Sequence, residues 1–180
     1  MPRQLFLLEF FPIKAILVEV SRTGVKKLSL LNEVPPYDEI DGIGSAQPRD
    51  TCSNHTYLLM VKTQLSEYFE GKRRNFSLPL DLKEATNFQK RVWEVLQGIP
   101  YGTSVSYAQV ARKMGRPEAV RAVGNACGAN PVPIVIPCHR VVRSDGTLGG
   151  YTSGFDVKKA LIEHEKHFAS YQLNDQGRKV

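Results

Sequence analysis

The sequence predicts an α+β protein, with a small N-terminal α/β domain built on an antiparallel sheet followed by a mainly helical C-terminal domain containing a helix-turn-helix. Three observations carry this prediction. Apolar and β-branched runs crowd the first thirty residues, amphipathic helical spacing dominates from Phe88 onward, and a polar stretch containing Pro79 separates the two. The expected organisation is a scaffold domain over 1–83, a second domain over 84–169 that carries the chemistry, and a flexible tail over 170–180.

Leu5–Phe11 and Ile13–Val20, then Val25–Leu31 after a turn at Arg22-Thr23-Gly24, read as three antiparallel strands. Pro35-Pro36 and Asp41-Gly42 interrupt a Pro-, Gly-, Asp- and Ser-rich stretch, so a mobile loop is expected over about 32–54. His55–Phe69 places Tyr57, Leu58, Val61, Leu65, Tyr68 and Phe69 at helical spacing, and Gly71 ends the run. Beyond the linker, Phe88, Val92, Trp93, Val95 and Leu96 form an amphipathic helix stopped by Gly98 and Pro100. Ser106 is a helix N-cap and Gly115 the stop of a short helix, while Pro117 opens another that runs to about Gly128. Two short helices joined by a glycine-containing turn are the outline of a helix-turn-helix.

Ile134-Val135-Ile136 reads as a core strand leading into an extended Pro137–Val142 segment. A glycine-rich loop, Asp145–Gly154, precedes a last helix with Ser153 or Asp156 as cap and Val157, Ala160, Leu161 and His164 on one face.

At 180 residues, 42% hydrophobic and 23% charged, the chain is long enough and apolar enough to bury a core unaided by disulfides or metal, which excludes disorder as its main state. Three cysteines without a CxxC pair and four histidines fit neither a disulfide framework nor a zinc module. A reducing, cytoplasmic compartment is expected, or the nucleus if the source is a eukaryote. Glu9, Pro12, Lys14 and Glu19 interrupt the N-terminal apolar stretch before the ~18 residues of a membrane span, so neither a signal peptide nor an anchor is expected. The net charge of +6 is uneven: residues 1–83 hold 11 basic and 10 acidic side chains, residues 84–180 hold 13 and 8. The basic excess raises the case for a polyanionic partner at the second half.

Cys138 is the leading nucleophile candidate. Pro137 removes a backbone donor beside it, and His139 and Arg140 supply positive character that favours a thiolate. A buried structural cysteine is the competing reading. Adjacent residues of an extended chain point opposite ways, so His139 would act on the sulfur through a bridging water, with Glu165 holding the imidazole. For Glu165 the competing reading is a solvated helix residue.

The helix after Pro117 carries unusually small side chains around one long cation, Arg121. Such a face suits either a neighbouring helix or a nucleic-acid groove, with Arg121 contacting phosphate or entering the base stack. Tyr107 could pack or hydrogen-bond a phosphate. Tyr151, on the glycine-rich loop, suits a wall against a planar ligand.

Arg121-Ala122-Val123-Gly124, Asn130-Pro131, Ile136-Pro137-Cys138-His139-Arg140-Val141-Val142, Gly149-Gly150-Tyr151 and His164-Glu165, in this order and spacing, resemble the O6-alkylguanine-DNA alkyltransferases over about Phe88–His167. The resemblance implies a direct-reversal repair protein that flips an alkylated guanine out of duplex DNA and moves the O6 alkyl group onto its own cysteine, once and irreversibly, with O4-alkylthymine a weaker substrate. It implies Cys138 as acceptor, His139 and Glu165 as a water-bridged relay, Asn130 as support of the active-site turn, and Tyr107 as the group that steers the phosphate and donates to guanine. It further implies Arg121 as the finger filling the stack, with Ala119, Ala122, Gly124, Asn125 and Cys127 on the DNA-binding helix; for Cys127 the residues themselves suggest packing. Tyr151, Thr152, Ser153 and Val141 would border the base pocket.

The partner would be double-stranded DNA through its minor groove, bound by a monomer, with cooperativity along DNA left open. No cofactor, membrane or metal is implied: some members bind zinc in the N-terminal domain, but here that half offers only Cys52 and His55. A non-catalytic binder of alkylated DNA that recruits repair factors would lack Cys138. A cysteine hydrolase would need an oxyanion-hole motif, and a plain helix-turn-helix regulator would have no use for the thiol.

Overall fold

The computed structural model describes residues 3–35 and 52–171. Residues 36–51 of the expected loop and 172–180 of the expected tail lie outside the described residues. The chain divides into two compact units, Met1–Ala85 with Pro131–Val135 and Thr86–Asn130 with Ile136–Val180. A single division at residue 83 does not anticipate the return of Pro131–Val135 to the first unit.

In the first unit β1 (Arg3–Phe10), β2 (Ile13–Ser21) and β3 (Gly24–Leu31) form an antiparallel sheet in the order β1-β2-β3. Strand β2 is central and brings Ile13, Ala15, Ile16, Val18 and Val20 to near-complete burial. Helix α1 (Cys52–Phe69) contributes Val61, Leu65 and Tyr68 to the same core. The linker is held as well: Pro79 O accepts from Val25 N at 2.8 Å, and Asp81 N donates to Val25 O at 2.8 Å. Pro131 O accepts from Leu28 N at 2.9 Å, which anchors the returning segment.

In the second unit α2 (Asn87–Gln97) starts with a capping box, Thr86 with Gln89, and buries Val92, Trp93 and Leu96. Trp93 Nε1 donates to Ala126 O at 2.8 Å, satisfying its only polar atom. A two-residue strand β4 (Val105–Ser106) leads directly into α3 (Tyr107–Lys113), which Ser106 caps in a second box with Gln109. The segment opened by Pro117 begins as a 3-10 turn, Pro117–Ala119, and becomes α4 (Val120–Gly128) only at Val120. Arg116 gives no side-chain cap, and the first bond is the tighter Ala119 N to Arg116 O, 2.9 Å.

Two expectations for the following segment are corrected. Ile134–Ile136 is buried but is not a strand: Ile134 has φ 74° and begins a turn between Pro133 and Pro137, a strained conformation for a β-branched residue. Cys138–Arg140 is not extended but forms one 3-10 turn, closed by Arg140 N to Pro137 O at 3.1 Å. Strand β5 (Val141–Val142) then pairs in parallel with β4, Val105 opposite Val141 and Ser106 opposite Val142. Helix α5 (Phe155–Tyr171) starts after Gly154, so neither Ser153 nor Asp156 is its cap. Val157 and Leu161 are fully buried as expected, whereas Ala160 and His164 are half-buried.

Gly24 sits at φ 147°, and a Cβ there would lie 2.3 Å from Pro79 O. Gly24→Ala is expected to destabilise the first unit by about 2–3 kcal/mol through backbone strain and the forced displacement of the linker. Urea unfolding of the variant against the parent protein measures this.

Candidate active site

The site forms where the Cys138–Arg140 turn, α5 and the start of α3 converge. Glu165 on α5 is 1% exposed and accepts from three partners: Gly102 N to Oε2 at 3.0 Å, His139 Nε2 to Oε1 at 2.8 Å, and Arg140 through Nε to Oε2 at 2.8 Å and Nη2 to Oε1 at 2.9 Å. Arg140 Nη1 donates to Ile99 O at 2.6 Å, and its guanidinium carbon stands 5.6 Å from the centre of the Tyr101 ring. Burial opposes charge on Glu165, yet the hydrogen bonds from His139 and Arg140 and the Arg140 charge outweigh it and hold the carboxyl well below the usual carboxylate range.

With Glu165 ionised, His139 Nε2 carries the hydrogen that reaches it, which leaves Nδ1 as the acceptor of a neutral imidazole. Burial of His139 lowers its pKa despite the carboxylate beside it. Nδ1 is itself buried and has no hydrogen-bond partner among the described residues.

Cys138 Sγ accepts from Asn130 Nδ2 at 3.0 Å, and the same amide donates to Ile136 O at 2.8 Å. Asn130 thereby ties the sulfur to the turn that presents it. Burial pushes the Cys138 thiol up, with the Asn130 hydrogen bond and the Lys158 charge pulling the other way. The expectation that His139 and Arg140 charge the surroundings of the sulfur is therefore corrected: Arg140 is committed to Glu165 and Ile99, and His139 is neutral.

Cys138 opens on a cavity of about 400 Å³ lined by Tyr107, Gly124, Cys127, Gly128, Gly150, Tyr151 and Thr152. Burial pushes the Cys127 thiol up to about 12, so it stands as a neutral wall group. The Tyr151 hydroxyl is buried without a hydrogen bond of ordinary geometry, close enough to the Cys138 sulfur for their charges to couple. Thr152 Oγ1 donates to Gly128 O at 2.9 Å, joining the loop to the end of α4. Of the expected pocket residues, Val141 is fully buried in β5 and Ser153 is half-buried, and neither lines this cavity.

Along α4 and the turn before it, Arg121, Ala122 and Asn125 are exposed, Ala119 and Gly124 are half-buried, and Cys127 is buried. Sequence reasoning did not single out Gly102, Ile99 or Lys158 and misassigned Arg140. A signal was present for Lys158, which with Ile162 and Glu165 follows i, i+4, i+7 spacing on one helix face.

Gly102 has φ 75°, and a Cβ there would lie 2.6 Å from the Ala169 side chain, so the N–H that meets Glu165 depends on glycine. Glu165→Gln leaves Arg140 without a buried counter-charge and is expected to cost about 3–5 kcal/mol of stability, measured by denaturant unfolding. Acid should also weaken the fold in two stages. As pH falls below about 6.5 the unfolded chain protonates His139 before the folded one does, at up to about 1.4 kcal/mol per pH unit. The Glu165 contribution is complete above about pH 4.3 and is lost as pH falls further through its depressed folded value. Unfolding free energies across pH for the parent and His139→Gln should differ in the first stage.

The family model described as 6-O-methylguanine DNA methyltransferase, DNA binding domain, matches residues 87–167, and the ribonuclease-like domain of the same name matches residues 11–82. A methylated-DNA–protein-cysteine methyltransferase of Methanosarcina barkeri is 40% identical over 156 residues, 87% of this chain and 93% of that protein. The inducible enzyme of that name from Bacillus subtilis is 48% identical over 107 residues, 59% of each chain. The crystal structure of Mycobacterium tuberculosis OGT in complex with DNA superposes with a TM-score of 0.75 at 33% identity, covering 93% of this chain and 94% of that one. With two domain models in chain order, and a relative matched over nearly its whole length, the protein belongs to the 6-O-methylguanine DNA methyltransferase family.

Proposed function

We propose that the protein repairs DNA by direct reversal, binding duplex DNA, flipping an O6-alkylguanine into the cavity and transferring the alkyl group to Cys138. The observation that carries this reading is the juxtaposition of a cavity-facing thiol with a buried imidazole whose Nδ1 is unpartnered and whose Nε2 is anchored by Glu165. A water between Sγ and Nδ1 fits that arrangement, since both need a polar partner in a site closed to bulk solvent.

His139 takes the Cys138 proton through this water, and Glu165 steadies the imidazolium. The thiolate attacks the alkyl carbon in line as the carbon–O6 bond breaks, and the electron pair leaves with guanine, which takes a proton from the Tyr107 hydroxyl. Asn130 keeps the sulfur on the cavity side of its turn. The product is a thioether, and no group in the site can displace it, so each molecule works once.

Entry of the base requires the duplex to open. An O6-alkylated guanine pairs poorly, which lowers the cost of flipping and selects for lesions. The exposed face of α4, with Arg121 among small residues, suits close approach to the minor groove and occupation of the vacated stack. O4-alkylthymine, a weaker fit to a guanine-sized cavity, is a secondary substrate, and one protein molecule suffices per lesion.

Mixing the protein with duplex DNA containing one O6-methylguanine should add a single methyl group to the peptide holding Cys138, stopping at one equivalent, by intact and peptide mass. Cys138→Ser should take none, and His139→Gln should slow transfer about 10²–10⁴-fold. Arg121→Ala should slow transfer from duplex far more than from the free base. Tight lesion binding without an adduct in the parent protein would instead support a recruiter of other repair factors.

A further inference from the structure

An exposed cation beside the cavity, Arg143, has no part in the chemistry at Cys138. Strand β5 runs parallel to β4 with Val142 opposite Ser106, so the residues that follow, Arg143 and Tyr107, leave the pairing side by side. Gly149 shows how near the two side chains come: a Cβ there would lie 3.1 Å from the Tyr107 hydroxyl and 3.7 Å from Arg143 Cγ. Tyr107 lines the cavity and Arg143 does not. The cavity reaches the surface on this side, because Gly150 and Thr152 both line it and are exposed. Arg143 is therefore at the mouth, outside the space that a base would fill.

The backbone of Arg143 is fixed. Its N–H donates to Thr147 O at 2.8 Å and its carbonyl accepts from Gly146 N at 3.0 Å, which closes a tight turn over Arg143–Thr147. Asp145, the carboxylate nearest in sequence, accepts from Thr147 N at 2.9 Å and from Thr147 Oγ1 at 2.7 Å. No carboxylate pairs with Arg143 among the described residues. An exposed guanidinium on a fixed backbone, with no carboxylate partner, is available to an outside anion, and its planar fork matches two phosphate oxygens. When a base leaves the stack for a pocket, its sugar and phosphates stay at the pocket's mouth.

We propose that Arg143 is a phosphate-binding residue, whose guanidinium holds a backbone phosphate of the flipped nucleotide at the cavity mouth, beside Tyr107. The inference rests on the base-flipping reading. Arg121 and Arg143 then have separate tasks, one on the exposed face of α4 and the other on the turn after β5. The rival role is an action through Tyr107: burial pushes its phenol up and the Arg143 charge pulls the other way. That action would serve any alkylated guanine, in DNA or free. A phosphate contact serves only DNA.

Cys138→Ser cannot take the alkyl group, so its affinity for a duplex with one O6-methylguanine reports binding alone. In that background Arg143→Gln, which keeps the stem and loses the charge, should weaken binding about tenfold and lower the slope of log affinity against log salt by about one. Arg143→Lys should keep the slope. Replacing single phosphates that flank the lesion by neutral methylphosphonates locates the contact: at one of them the loss from Arg143→Gln should disappear. A loss of the same size at every flanking phosphate, or no loss at all, overturns the proposal. Equal slowing of methyl transfer from duplex and from free O6-methylguanine, in Arg143→Gln with Cys138 intact, overturns it in favour of action through Tyr107. A parent protein that takes no methyl, while the Arg143-dependent contact persists, would sink the alkyl-transfer reading and leave the contact standing.

Discussion

The second unit is organised around one buried carboxylate. Glu165 takes hydrogen bonds from the Gly102 backbone, His139 and Arg140, and so joins α5, the loop before β4 and the Cys138–Arg140 turn at a single point. A lone buried carboxylate would neutralise itself by taking up a proton. Arg140 prevents this, and because it already balances the charge, His139 need not be a cation. A neutral imidazole fixed at Nε2 has a free lone pair at Nδ1, which is the property a general base requires. The Arg140 interaction, which touches nothing in the cavity, thus decides what His139 can do.

The second constraint is the burial of the nucleophile. Burial favours the neutral form of Cys138, and the Asn130 hydrogen bond to the sulfur pulls the other way from inside the protein. Such a thiol is guarded from bulk electrophiles and oxidants, which react with thiolates.

A third feature is that one short helix has both an exposed face and a cavity face. The outer face of α4 is small apart from Arg121, and its inner face contributes Gly124, Cys127 and Gly128 to the cavity wall. Small residues serve both sides: outside they leave the backbone open to close approach, and inside they leave the cavity its room. The two-residue parallel pairing of β4 with β5 leads into Tyr107, the first residue of α3, which lines the same cavity as Cys138.

Much of this was legible in the amino-acid order. The strands, α2, the Ser106 cap and the Pro117 start follow from local periodicity and capping chemistry, which act within a few residues. The family motifs pointed to Cys138, His139, Glu165, Asn130, Tyr107 and Tyr151, which the fold brings together, and to Val141 and Ser153, which lie off the cavity. What could not be read was what depends on partners distant in sequence. Arg140 beside the thiol reads as a source of positive character, yet Glu165, 25 residues away, claims it. Ile134–Ile136 has strand composition, yet the flanking prolines and the return of Pro131–Val135 to the first unit make it a turn. Lys158 reads as one more solvated helix lysine, yet the packing of α5 buries it. The sequence by itself determined which elements form and which residues are chemically able; the tertiary structure decided which charges are buried and what each one faces, because burial and pairing are properties of packing and no local pattern encodes them.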